Sequence, residues 1–280
     1  MRKCFLTAFA VCVCMMFWTT GCTERKPIAD SLAVDSVIDT TLNVDTMEQL
    51  IEEQPMPVAA DELFDDFIFN FAANHKLQIK RIKFPLQVDD CGEKRTIAKS
   101  DWKMEHFFME QGFYTLIFDT ERQMNAVKDT TINNVVVEKI NLANEKVKDY
   151  VFKRINGAWM LVAIRKSELS QHPNSSFLSF YQKFATDASF QERSLNNPVI
   201  FTGQDPDDDF STMTGEIAPE TWPAFAPELP SGKIYNIIYG HGKTSGNQKI
   251  FLMRGISNGM EMQLTFKCVG GDWKLVKLSE

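Results

Sequence analysis

The sequence predicts an α+β fold, helices first and antiparallel strands after, laid down twice in tandem. Three observations predict it. Phe64, Phe67, Ile68 and Phe71 fall at i, i+3, i+4 and i+7, the apolar stripe of an amphipathic helix. Phe177, Phe180, Tyr181 and Phe184 repeat that stripe at an offset of 113, which Leu77-Gln78 keeps with Phe190-Gln191 and Pro85 keeps with Pro198. Each half also closes on Phe-Lys seven residues before a tryptophan. These are Phe152-Lys153 before Trp159 and Phe266-Lys267 before Trp273, now at an offset of 114.

Within the first half, Asp61 is the expected N-cap of the Phe64 helix. Leu77 to Lys83 adds a further helical turn, and Pro85 ends it. Lys94 to Lys99 reads as a short strand. Asp101 is placed to cap a second helix carrying Trp102, His106 and Phe107. After Gly112 the period changes to two, which predicts strands at Phe113–Asp119, Ile132–Leu142, Lys146–Ile155 and Trp159–Arg165, with Asn156-Gly157 as the last hairpin turn. In the second half Ser175 or Ser176 is the expected cap, and Trp222 echoes Trp102. Strands follow at Ile234–Tyr239, Lys249–Ile256, Glu261–Val269 and Trp273–Leu278, with Gly270-Gly271 as the closing turn.

That order, with its closing "Phe-Lys … Gly-x-Trp-x-Leu" hairpin, resembles the cystatin-like cone of the nuclear transport factor 2 and ketosteroid isomerase superfamily. Its tandem form behind a lipoprotein signal looks like a family of uncharacterised lipoproteins of gut-dwelling Gram-negative bacteria. The resemblance covers roughly residues 60–280. It implies two tandem cystatin-like cones, each an N-terminal helix region packed in a curved antiparallel sheet, over residues 59–168 and 172–280. It implies no particular chemistry, because the superfamily holds isomerases, dehydratases and binding modules alike.

Ahead of the two halves lie two segments of different character. Residues 1–21 read as an export signal: Arg2 and Lys3 form the basic start, and Cys4 to Trp18 form an uncharged apolar run short of the ~20 residues that span a bilayer. Thr19-Thr20-Gly21-Cys22 resembles a bacterial lipoprotein box, with Thr19 where leucine is usual. Lipid on Cys22 would then anchor the chain to a membrane, which places it in the bacterial envelope at the periplasmic or outer-membrane face. Residues 22–58 read as an acidic flexible tether. Asp-Ser or Asp-Thr recurs there at Ser31, Ser36, Thr40 and Thr46. The triplets resemble the O-glycosylation acceptors of some Gram-negative gut bacteria, and compositional drift in a disordered spacer is the competing reading.

Charge and cysteine content exclude some functions. The chain has 30 Lys and Arg against 37 Asp and Glu, a net charge of −7, and loss of residues 1–21 takes it to 28 against 37, a net of −9. A surface that acidic argues against nucleic acid and against polybasic attachment to lipid. Only Cys91 and Cys268 fall in the globular part, so no disulfide framework is expected.

Chemical candidates are few. Asp101, His106 and Glu110 are the residues a proton-transfer enzyme in the first half would use, with His106 and Glu110 four apart on the expected helix. Trp102, Tyr114, Trp222 and Tyr235 are the expected pocket lining, Tyr114 and Tyr235 corresponding between the halves. Asp205, Asp207, Asp209 and Glu216 occupy positions 1, 3, 5 and 12 of a calcium loop, but Phe210 takes the place of the glycine that loop requires. Gly242-Lys243-Thr244 lacks the first glycine of a phosphate loop, where Ile237 stands. The histidines His75, His106, His172 and His241 have no metal-ligand spacing, and no cofactor motif is present. The sequence therefore points to an envelope-anchored binding module for a small molecule, a glycan or a protein partner. A general acid/base isomerase or dehydratase in the first half is the alternative.

Overall fold

A helix forms where the phenylalanine stripe begins. α1 (Phe64–Ala73) buries Phe64, Phe67, Ile68 and Phe71, and α2 (His75–Arg81) follows after Asn74, whose side chain accepts the Leu77 N–H at 2.8 Å. Asp61 does not cap α1, where Leu63 holds the N-cap position. Its carboxylate instead grips Arg81 (3.0 and 2.6 Å) and accepts the Trp159 N–H at 3.3 Å, which ties the start of the helix to the sheet. The second half repeats the pair as α3 (Ser175–Thr186) and α4 (Ala188–Arg193). Asn174 precedes α3, and Ser176 accepts from Trp273 Nε1 at 3.3 Å rather than capping.

The strands are β1 (Ile82–Asp90), β2 (Glu93–Ile97), β3 (Phe113–Phe118), β4 (Asn134–Asn141), β5 (Lys146–Ile155), β6 (Ala158–Glu168), β7 (Leu195–Asp205), β8 (Asp208–Ile217), β9 (Lys233–Tyr239), β10 (Gln248–Gly255), β11 (Glu261–Val269) and β12 (Asp272–Ser279). The computed structural model describes residues 61–240 and 246–280, all within the unit Leu42–Glu280. Cys22, Ser31, Ser36, Thr40, Thr46, His241 and Gly242-Lys243-Thr244 lie outside them, as does the Asp209 side chain.

The strands do not close into two cones. They form one mixed sheet of 12 strands in the order β2-β1-β6-β5-β4-β9-β3-β10-β11-β12-β7-β8. This overturns the expected cone pair, and the reason lies in the middle of the sheet. β4 pairs with β9 from the other half over Val135↔Tyr239 to Asn141↔Lys233, and β3 pairs with β10 over Phe118↔Ile250 to Phe113↔Gly255. The halves have in effect exchanged their third strands, and β3 and β9 meet in parallel at Thr115↔Asn236.

Strands so placed are covered on both faces. Tyr114, Leu116 and Phe118 of β3 enter one core with α1, while Ile117 enters the other with α3. β10 divides likewise: Ile250 and Leu252 join the first core, Phe251 and Met253 the second. Each core therefore needs strands from both halves. The sheet ends on polar edges, β2 with Glu93, Lys94 and Arg95 exposed, and β8 opening on Asp208. Charged edges of this kind discourage pairing with other chains.

The helix expected after Asp101 does not form. Residues 99–101 and 109–111 make single 3-10 turns, and Phe107 at φ +51° breaks any continuous helix between them. The segment is held from outside by Gln78, whose Oε1 accepts both Trp102 Nε1–H (3.0 Å) and the Glu105 N–H (3.2 Å). β1, β7 and β8 were hidden in the sequence by Pro85, by Pro198 and by the polar Asp208–Ile217 run. The hairpin turns stand where expected, with Asn156-Gly157 at φ +51° and +82° and Gly270-Gly271 at +64° and +97°.

Candidate functional site

Glu105 is the centre of a polar cluster at the open end of the first core. β5 supplies Tyr150 and Lys148, β4 supplies Lys139 and β9 supplies Tyr235, neighbours in register through Lys139↔Lys148 and Lys139↔Tyr235. The turn held by Gln78 lowers Glu105 among them. Its carboxylate accepts the Tyr150 O–H and the Tyr235 O–H (3.4 Å), and lies 3.3 Å from Lys139 Nζ and 3.5 Å from Lys148 Nζ. Both tyrosines are buried, and the Lys139 ammonium also lies over the Tyr235 ring.

The surroundings set the charges. Burial works against an ionised Glu105, but the Tyr150 hydrogen bond and the two lysines outweigh it and hold its carboxyl below the usual range. Burial and the neighbouring Lys139 hold the Lys148 ammonium below the usual lysine range in spite of Glu105. Burial pushes the Tyr235 phenol up to about 12, so it remains a hydrogen-bond donor at neutral pH.

Beside the cluster opens a cavity of about 380 Å³, lined by Lys139, Lys146, Lys148, Lys166 and Lys233 with Asp90 and Asn141 among others. Lys146 bonds Glu168 and Lys166 bonds Asp90.

The equivalent place in the second half is apolar. Laying β4 on β10 and β5 on β11 at the offset of 114 brings Lys139 onto Met253 and Lys148 onto Met262, a pair that is itself in register. The same shift brings Tyr150 onto Leu264 and Lys146 onto Met260, and the offset of 120 between Trp102 and Trp222 brings Glu105 onto Phe225. Met253, Met262 and Leu264 are buried in the second core, and Met260 packs against it. The fold is thus satisfied there by methionine and leucine, and the first half departs from that solution without a folding need.

The residues expected to carry function are dispersed. Asp101 and Glu110 are exposed, and His106 is half-buried in the irregular segment, so the three share no helix face. Trp102 and Trp222 do correspond. Each donates Nε1–H to a glutamine, Gln78 and Gln191, which in turn donates to a carbonyl of the preceding helix, Phe71 and Phe184. Tyr114 and Tyr235 do not line separate mouths, since both point into the first core. At the offset of 120 the partner of Tyr235 is Thr115, and a slip of one residue on a strand changes the face. Tyr114 donates to one Asp65 oxygen at 3.5 Å and Tyr239 donates to the other, and burial raises both the Asp65 carboxyl and the Tyr114 phenol, the latter to about 12. Asp205 and Asp207 sit at the β7–β8 hairpin tip, while Glu216 pairs with Ile200 far along β8, so the calcium pattern is drawn apart. Among the described residues no group of three or more His, Cys, Asp or Glu has metal-binding geometry. Cys91 and Cys268 are free thiols.

A second polar group fastens the link between the halves. Asn174 N–H donates to His172 Nδ1 at 3.0 Å, so the ring proton lies on Nε2 and is donated to Glu138 at 2.7 Å. Asn236 Nδ2 takes the other oxygen of Glu138 at 2.7 Å. Asp149 stands nearby beside a cavity of about 500 Å³, its carboxyl pushed up to about 6 by burial and by Glu138.

This architecture is that of an NTF2-like protein. The chain is similar to the crystal structure of an NTF2-like protein from Bacteroides fragilis, with 40% identity over 80% of this chain and 98% of that one, and a TM-score of 0.74. It belongs to the family described as a domain of unknown function (DUF4348), whose model matches residues 43–280, both halves together. No curated protein matches it. No helix among the described residues is long and apolar enough to cross a membrane.

Proposed function

We propose that this protein is a binding module held at the bacterial envelope by lipid on Cys22, and that its two halves descend from one duplicated unit joined near residues 168–172. The ligand site is the mouth of the first core, around Glu105, Tyr150, Tyr235, Lys139 and Lys148. One observation carries the reading: the mouth is polar and bordered by a cavity in the first half, where the second half places Met253, Met260 and Met262. A site kept for binding explains a costly polar cluster in one copy and its absence from the other.

Native mass spectrometry of the protein extracted from its own membranes tests this. The expected masses show lipid on Cys22 and a bound small molecule that is lost from the Lys148→Met, Tyr235→Phe variant. Sugar on Ser31, Ser36, Thr40 or Thr46 would appear in the same spectra. A small molecule that persists in the variant contradicts the site, and an unlipidated Cys22 contradicts the anchor.

General acid/base catalysis is the second reading, and Asp149 favours it, because a carboxyl titrating at about 6 beside a cavity suits proton transfer. Against it, the neighbouring Glu138 and His172 have their polar atoms engaged by each other, Asn236 and Asn174.

A further inference from the structure

We infer that the ligand of the first-half mouth is a small acidic molecule, its anionic group received by the lysines of β4, β5, β6 and β9. This rests on the mouth being the ligand site and names the class of ligand it takes.

The register makes the case. Lys139, Lys148 and Lys166 stand directly opposite one another across β4, β5 and β6, through Lys139↔Lys148 and Lys148↔Lys166. Like charges facing across a ladder destabilise it unless an anion lies between them. One rung further out, Lys233 and Lys146 both face Asn141. Five lysines therefore line one cavity, and among the described residues the carboxylates that reach them are Glu105, Glu168 and Asp90. The balance is positive in a chain whose net charge is −7, so this surface opposes the field of the whole.

Glu105 shows which chemistry fits. A carboxylate already rests there under two phenolic O–H donors and two ammonium groups, a donor-rich set that suits an anion. A cavity of about 380 Å³ leaves room beside it for a second acid of sugar size. Burial and the neighbouring Lys139 hold the Lys148 ammonium below the usual lysine range, and an anion against it would favour its charged form. None of these lysines has a basic counterpart at the second mouth, where Met253, Met262 and Met260 replace Lys139, Lys148 and Lys146 and Phe113 replaces Lys233.

Amide NMR titration of the full mature chain at constant ionic strength tests the inference. The probes are sodium glucuronate, glucose as its neutral counterpart, and inorganic sulfate. Glucuronate and sulfate are expected to shift the β4, β5 and β9 amides saturably while glucose leaves them still. Lys233→Glu and Lys146→Glu, both at the rim, should weaken glucuronate at least tenfold, Lys233→Arg should retain it, and Glu105→Gln should tighten it severalfold. Equal shifts by glucose and glucuronate at these amides would overturn the acidic class and leave the mouth as a ligand site. Amides unmoved by all three probes would overturn the site itself.

Discussion

Replacing the polar mouth by apolar residues separates a functional cluster from a structural one. Glu105→Leu alone leaves the buried Tyr150 O–H without its acceptor, which costs about 1–3 kcal/mol. It also strands Lys139 and Lys148, but these are about a third exposed and water compensates them, so their loss adds at most ~1 kcal/mol. The Tyr235 bond at 3.4 Å is long and contributes little. Together the single change should cost about 1–4 kcal/mol, a fall of roughly 2–16 °C in Tm for a domain of this size. Adding Lys139→Met, Lys148→Met, Tyr150→Phe and Tyr235→Phe removes every orphaned group. A buried ionic cluster exchanged for well-packed apolar residues is neutral or stabilising, so the five-site variant should return to within ~1 kcal/mol of wild type. Urea denaturation of the three proteins, read by tryptophan fluorescence, measures both steps. If the five-site variant stays as unstable as Glu105→Leu, the cluster holds the fold together and the functional reasoning fails.

Two further outcomes follow from the geometry. Gln78→Leu should cost about 2–4 kcal/mol and Gln191→Leu about 1–2 kcal/mol by the same assay. Gln78 is buried and serves Phe71, Trp102 and Glu105, whereas Gln191 is half-buried and among the described residues serves Phe184 and Trp222. Asp149→Asn should stabilise the protein by up to ~3 kcal/mol at pH 7.5 and hardly at all at pH 4. The folded Asp149 carboxyl titrates at about 6 against an ordinary 3.8, so the folded state binds more protons between these values and loses stability as pH rises through them. Equal effects of the substitution at both pH values would contradict that account.

Much of the local structure was legible in the sequence and the global pairing was not. The phenylalanine stripes of α1 and α3 stand where their spacing puts them, because helix period is a local property. The Trp102–Gln78 and Trp222–Gln191 bonds explain why those residues keep their offsets. Strand exchange leaves no such mark, since β3 fits β4 or β10 with the same residues. One signal was present: Phe113–Phe118 and Ile234–Tyr239 are apolar almost without alternation, the pattern of strands covered on both faces. Glu105 was missed because it lies between Met104 and His106 in a segment read as helix, and only the grip of Gln78 on that segment turns it inward.

The exchange of β3 and β9 underlies both cores and the mouth, and a cross-link tests it most directly. Val136 and Ile238 face each other across β4 and β9, strands from different halves. With both replaced by cysteine and Cys91 and Cys268 replaced by serine, mild oxidation should join them rapidly and completely within one chain of the native protein, with unchanged circular dichroism. If no bridge forms under native conditions, while a Val136→Cys, Ile117→Cys or Val136→Cys, Phe118→Cys pair closes readily, β4 lies against β3 of its own half and the shared sheet is wrong.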